Sequence, residues 1–273
     1  MTTRTRAAEA QQRRTPQSGR LREKLACRSR RGCPIRFPFG EDGSSLAHVA
    51  TLRARAWFSL AVLALVMGLV LFGAAGTWSY GAAWVYLGLF FGLSALITAD
   101  LMRRDPALLE RRMKGGPTAE PRPQQRWIML GASVGFVALL VVPAIDRRCG
   151  WSHVPAALVV LGDLLFVIGF GLVGHVYREN THTTATIEVA RGQRVISTGP
   201  YAVVRHPMYA SALVYLLGTP LALGSYWGTL ALAFMLPFLI ARLIDEERLL
   251  ARDLPGYTEY MTRVRFRVVP GVW

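Results

Sequence analysis

Ala56–Ala99 reads AWFSLAVLALVMGLVLFGAAGTWSYGAAWVYLGLFFGLSALITA, 44 residues without a formal charge. At about 1.5 Å rise per residue it would make a helix of roughly 66 Å, about twice the hydrocarbon core of a bilayer. The stretch must therefore fold back on itself. Gly76-Thr-Trp-Ser-Tyr-Gly81 supplies the break, because glycines and interfacial aromatics mark a water boundary. The reading gives a first span near 57–76 and a second near 82–99. The first is too long for a signal-peptide core and is followed by no small-residue cleavage pattern, so it is expected to stay in the membrane.

Two more apolar runs, Trp127 to Ile145 and Val154 to about Tyr177, are each long enough to cross. The last lies between Arg205 and Arg242, 36 residues without a formal charge. It reads as a hairpin of two short spans, 207–241, turning between Gly218-Thr-Pro220 and Gly224-Ser-Tyr226. Six crossings are expected, with five as the fallback. The fold class is an all-α, polytopic transmembrane helical bundle with cofactor-binding segments at its C-terminal end. The composition agrees, since 52% of the 273 residues are hydrophobic, 18% are charged and the mean hydropathy is +0.30.

The charge lies outside these runs. Residues 1–56 hold thirteen basic and four acidic side chains, more than half of the net +15. Rich in Arg, Gln, Ser, Gly and Pro and without an apolar period, 1–55 is expected to be a disordered tail. No aromatic interleaving supports a nucleic-acid-binding arm, so no nucleic-acid partner is expected. Residues 56–177 then form helices one to four, and 178–273 the functional core. Residues 100–126 carry seven basic and four acidic groups, and 176–205 carry four and two. Positive loops stay inside, which places the N-terminus and both long connections in the cytoplasm. Thirty of the 32 basic residues are arginine, a bias typical of GC-rich bacterial genomes, so the expected location is a bacterial inner membrane. Cys27, Cys33 and Cys149 have neither disulfide-framework nor zinc spacing, and the five histidines show no ligand pairing, so no metal site is expected.

A hairpin returns to the face where it began, so the segments before 207 and after 241 meet. The first contains Gly199-Pro200-Tyr201 and Arg205-His206-Pro207-Met208-Tyr209, with Pro207 suited to the first position of a helix. Arg205 and His206 then stand at a helix N-terminus, a setting that favours an anion. The second contains Asp245-Glu246-Glu247 and Gly256-Tyr257-Thr-Glu-Tyr260. Gly169-Phe-Gly171-Leu-Val-Gly174 matches a dinucleotide fingerprint in letters, but it lies inside span four with no strand before it. Close helix packing is its expected role. Asp163, inside the same span, fits a functional role and a structural pairing equally, His175 is expected to be structural, and His182 is open.

Taken in order, Arg205-His206-Pro207-x-Tyr209, an apolar hairpin, Glu246-Glu247 and Gly256-x-x-x-Tyr260 resemble the isoprenylcysteine carboxyl methyltransferase family of integral membrane proteins, which is related to the phospholipid methyltransferases. The resemblance covers about 178–273, including Glu179-Asn180, Gly199-Pro200-Tyr201 and Val268-Val-Pro270; Ser211 stands where the family has glycine. It implies methyl transfer from S-adenosylmethionine to a hydrophobic or lipid-linked acceptor held in the bilayer, at the cytoplasmic face. It further implies Arg205 and Glu246 as catalytic residues, and Asn180, Gly199, Pro200, Tyr201, His206, Pro207, Tyr209 and Glu247 as cofactor-binding residues. The division of labour between the two glutamates stays open, as does the acceptor: a carboxylate, a phospholipid amine or a small thiol. The reading from another class is a small membrane transporter or lipid-binding scaffold. Against it, no second copy of the 205–247 segment occurs, and ionisable groups within the spans are sparse.

Overall fold

The computed structural model describes residues 43–120, 122–183, 185–189 and 192–273. Up to residue 42 the expected tail lies outside the described residues. The chain divides after Ala47, and the unit from His48 to Trp273 carries all that follows. Among the described residues there are eight α-helices and no strand: α1 Gly43–Ala75, α2 Gly81–Arg104, α3 Pro106–Met113, α4 Pro123–Cys149, α5 Ala156–Glu179, α6 Pro207–Ala222, α7 Gly228–Asp253 and α8 Tyr257–Arg263.

Five of these helices, α1, α2, α4, α5 and α7, are long and apolar enough to cross a membrane. The sixth apolar segment forms α6, whose 16 residues span roughly 24 Å, short of a hydrocarbon core of about 30 Å. The five-span fallback therefore describes the membrane-length helices. The hairpin turns where glycine permits it: Gly224 has φ +70°, and Ser225 N donates to Pro220 O at 2.9 Å. α1 starts at Gly43 rather than near Trp57, because nothing in Leu52-Arg53-Ala54-Arg55 breaks a helix that leaves the apolar layer. α3 follows α2 after a sharp stop. Asp105 accepts from Leu108 N at 2.9 Å and Pro106 occupies the first helical position, while Leu108 and Leu109 bury its apolar side.

The tightest pair is α5 against α6, joined through small residues. A Cβ on Gly169 would lie 2.5 Å from Tyr215 N, and one on Gly162 2.3 Å from Ala222 N. Gly169 thus packs helix on helix, whereas a Cβ on Gly171 meets nothing within 4 Å. Ser211 belongs to the same seam: its Oγ turns back to donate to Pro207 O at 2.7 Å, and its carbonyl faces Gly169. Serine is tolerated there because α5, not a ligand, makes the close approach. Gly169→Leu is expected to force α5 and α6 apart at a cost of about 1–3 kcal/mol, with Gly171→Leu unchanged, as read from thermal unfolding in detergent.

The two ends of the bundle differ. At one, Tyr80 Oη donates to Leu223 O at 2.5 Å, and buried Asp146 accepts from Ser152 N at 2.7 Å, Ser152 Oγ at 2.6 Å and Ser225 Oγ. These bonds bring together the α1–α2, α4–α5 and α6–α7 turns, around which Trp78, Trp84, Trp151 and Trp227 are exposed as an aromatic belt. The other end gathers the C-termini of α2, α5 and α7, the N-termini of α4 and α6, and the polar connections. Asp163 lies on α5 with its Oδ1 buried and without a hydrogen-bond partner, and His175 is exposed.

Candidate functional site

At this polar end α5 finishes with Glu179 and Asn180. Thr198 Oγ1 donates to Glu179, whose carboxylate leaves no room for a side chain at residue 199: a Cβ there would lie 2.8 Å from its Cδ. Gly199 also has φ +54°, so only glycine suits the position. Pro200 follows in a 3₁₀ turn, Gly199–Ala202, which delivers the Tyr201 hydroxyl to Asn180 Nδ2 at 2.9 Å. Asn180 Oδ1 accepts from His182 N at 2.9 Å, fixing the start of the next connection.

Pro207 opens α6 with His206 just before it, as its fixed φ favours. The backbone N–H groups of Arg205 and His206 donate to Phe266 O and Arg267 O, both at 2.9 Å, pinning the C-terminal segment to this turn. Tyr260 of α8 reinforces it by donating to Tyr201 O at 2.7 Å.

Helical phase separates the two neighbouring glutamates, since consecutive residues point about 100° apart. Glu247 faces the C-terminal segment, where it is buried between two guanidiniums and an imidazole: Arg205 Nε and Nη2 at 3.3 Å, His206 Nε2 at 3.2 Å, and Arg267 Nε at 3.1 Å and Nη2 at 3.0 Å. Arg205 Nη1 donates in addition to Val264 O and Arg265 O at 3.2 Å. Glu246 faces the other way, into a cavity of about 420 Å³, and accepts from Tyr209 Oη at 2.7 Å.

That cavity receives Asn180, Tyr201, Arg205, His206, Pro207, Tyr209 and Glu246 among the expected site residues. Gly199, Pro200 and Glu247 do not line it; the first two aim Tyr201, and Glu247 anchors Arg205 and His206. His182 and the aromatic faces of Tyr215, Tyr257 and Tyr260 complete the polar part, while Met129, Ala132 and Leu239 continue the wall among α4 and α7. Burial pushes the Tyr201 hydroxyl up to about 12, against the Asn180 hydrogen bond and with the help of the Glu246 charge. Tyr257 and Tyr260 are likewise raised by burial. All three remain neutral hydroxyls at physiological pH. Tyr257 lines the cavity, and its hydroxyl is buried with no hydrogen-bond partner.

The sequence reading missed the clamp beside Glu246. Arg242 lines the cavity and pairs with buried Glu120 at 2.7 Å, while its Nη2 donates to Ala185 O at 2.8 Å. Gln125 joins Arg242 at 3.3 Å and also donates to Asp245, which pairs with Arg122 at 2.8 Å. Arg242 was findable, standing four residues before Glu246 on one helix face. Glu120 was not, since its partners lie far along the chain. Among the described residues no three His, Cys, Asp or Glu side chains form a group able to hold a metal ion.

Both signs of charge, several aromatic faces and a continuous apolar wall suit a ligand that is itself mixed. Compared with known families, residues 157–254 match the phospholipid methyltransferase family, which includes the isoprenylcysteine carboxyl methyltransferases. No curated protein matches the chain. The matched stretch runs from α5 to the end of α7 and holds every expected site residue; α8 and the C-terminal strap lie beyond it. With five membrane-length helices, the match supports a membrane methyltransferase.

Proposed function

We propose that this protein transfers a methyl group from S-adenosylmethionine to a hydrophobic acceptor held in the bilayer, at an active site facing the cytoplasm. The observation carrying the proposal is the cavity that places Glu246 and a set of tyrosines at its polar end and joins them to an apolar wall among the membrane helices. Its volume suits a small cofactor together with the reacting end of an acceptor. When bound, S-adenosylmethionine supplies an electrophilic methyl on a sulfonium.

Glu246 is the carboxylate available for the cofactor's ammonium or ribose, because Glu247 is surrounded by Arg205, His206 and Arg267. The electron-rich rings of the tyrosines around the cavity favour a cation. The apolar wall from α4 and α7 excludes water and aligns the acceptor, which in-line methyl displacement requires. Arg205 acts on this reading by shaping the site from behind, since its guanidinium is taken up by Glu247 and two carbonyls. That occupancy favours an amine acceptor, as in phospholipid N-methylation, over a carboxylate that would need Arg205 to orient it. Glu246 or His182 would then receive the amine proton.

Calorimetric titration of the detergent-purified chain with S-adenosylhomocysteine tests the proposal. One saturable site per chain is the expected result; a folded chain that binds none at millimolar ligand refutes the enzyme reading and returns the transporter or scaffold. Methyl transfer to phosphatidylethanolamine, with none to a farnesylcysteine carboxylate, is the expected acceptor profile. The reverse preference would show that Arg205 becomes available to substrate.

A further inference from the structure

The end of the bundle opposite the catalytic cavity holds a second concavity of about 420 Å³ between α1 and α2. Gly68 and Gly88 open it: a Cβ built on either meets nothing within 4 Å. Phe72 and Phe91 contribute walls from the two helices, and Trp78 and Trp84 stand at its head. It runs along the bundle axis, for its lining on α1 extends from Ala64 to Phe72, about 12 Å of helix. The head is a fixed aromatic slab. Phe72 lies 4.9 Å from Trp78 and 4.5 Å from Trp84 between ring centroids, and Trp84 Nε1 donates to Trp78 O at 3.0 Å.

A cation lies against the turn that carries Trp78. Gly76, with φ +66°, ends α1 by donating to Phe72 O at 2.9 Å, and the Arg148 side chain from the last turn of α4 lies against it, Nε 3.6 Å from where a Cβ would be. Arg148 is exposed, and among the described residues no hydrogen bond or ion pair takes its guanidinium. Arg147 beside it adds a second exposed cation. The nearby acid, Asp146, is 1% exposed and directs its carboxylate to Ser152 and Ser225.

Any apolar face in a bilayer is wetted by lipid tails. Here the groove runs along the helices as an acyl chain would, rigid indoles hold its head at the interface, and a guanidinium waits at headgroup depth. We propose that the α1–α2 groove is a binding site for a membrane glycerophospholipid, one acyl chain lying along Gly68 and Gly88 and the phosphate meeting Arg148. This site is separate from the methyl-acceptor cavity and does not depend on the activity proposed above.

Native mass spectrometry of the delipidated full chain, titrated with palmitoyl-oleoyl-phosphatidylglycerol or with uncharged monoolein, tests the site. The phosphatidylglycerol is expected to be retained at one per chain, at least about fivefold above monoolein, and Arg148→Ala to reduce that retention by about fivefold or more. Gly88→Leu and Gly68→Leu, which enter the groove from opposite walls at positions where a Cβ meets nothing within 4 Å, are each expected to abolish it while leaving the unfolding temperature at the wild-type value. Equal retention of both lipids, unaltered retention in Arg148→Ala, or unaltered retention in both filled variants overturns the proposal. So does a dimer that Gly88→Leu dissolves, which would give the groove to a second copy of the chain.

Discussion

Glu247→Ala is expected to lose about 3–5 kcal/mol of stability, because removing one partner of a buried ionic group leaves the others uncompensated. Arg205 is 7% exposed and His206 4% exposed, and both turn to Glu247. Arg267, about one-third exposed, is better able to find water. The loss has a location. Glu247 is the only carboxylate among the described residues that joins α7 to both the α6 N-terminus and the C-terminal segment, so the backbone bonds from Arg205 and His206 to Phe266 and Arg267 should open with it. Amide hydrogen exchange is expected to rise at residues 205–206, whose N–H groups lie in those bonds, while protection within α5 and α6 persists. Glu247→Gln, which keeps one acceptor oxygen on the same stem, should fall between the alanine variant and the wild type. If Glu247→Ala unfolds at the wild-type temperature with these amides still protected, the network carries no structural load, and Glu247 returns to the cofactor-binding role implied by the family resemblance.

The spans were legible because a bilayer imposes a length. An uncharged run of 44 residues exceeds one crossing, and Gly76–Gly81 is the place where it breaks. The number of crossings was less legible: 36 uncharged residues between Arg205 and Arg242 divide unequally, and composition does not show that α6 takes only 16 of them. The meeting of the two flanks of the hairpin followed from topology alone. Which side chains reach the cavity depended on phase and on distant partners. Arg205 looked like an anion fork because it stands at a helix N-terminus, yet Val264 and Arg265, some sixty residues away, supply the carbonyls that occupy it. Gly199 and Pro200, cofactor-binding residues by the family resemblance, build the turn that packs on Glu179. Their conformational work at Glu179 is a different matter from touching a ligand, and a sequence motif does not separate the two. Glu120 illustrates the remaining limit. A glutamate in a polar loop reads as solvated until the fold brings Arg242 to it.

The neighbouring carboxylate should behave in the opposite way. Glu246 lines the cavity, and among the described residues its hydrogen bond comes from Tyr209. Glu246→Ala removes that one bond and leaves the Tyr209 hydroxyl without its acceptor, so the fold should lose about 1–2 kcal/mol, well below the cost of Glu247→Ala. A cationic ligand should feel the loss directly, because the ammonium of S-adenosylhomocysteine would lose a charge-assisted partner. A fall in affinity of about ten- to a hundredfold is expected, corresponding to roughly 1.4–2.7 kcal/mol. Glu246→Gln keeps the shape and the Tyr209 bond but loses the charge, and should resemble alanine in binding and the wild type in stability. Tyr209→Phe separates the remaining contribution, since it frees the carboxylate without neutralising it and should change affinity by less than about fivefold. The two glutamates together give a crossed pattern, in which Glu247→Ala chiefly lowers the unfolding temperature and Glu246→Ala chiefly weakens the ligand. Equal effects of both variants on both measurements would mean that α7 does not hold its carboxylates on separate faces in solution, and the assignment of the cavity to the cofactor would fail with it.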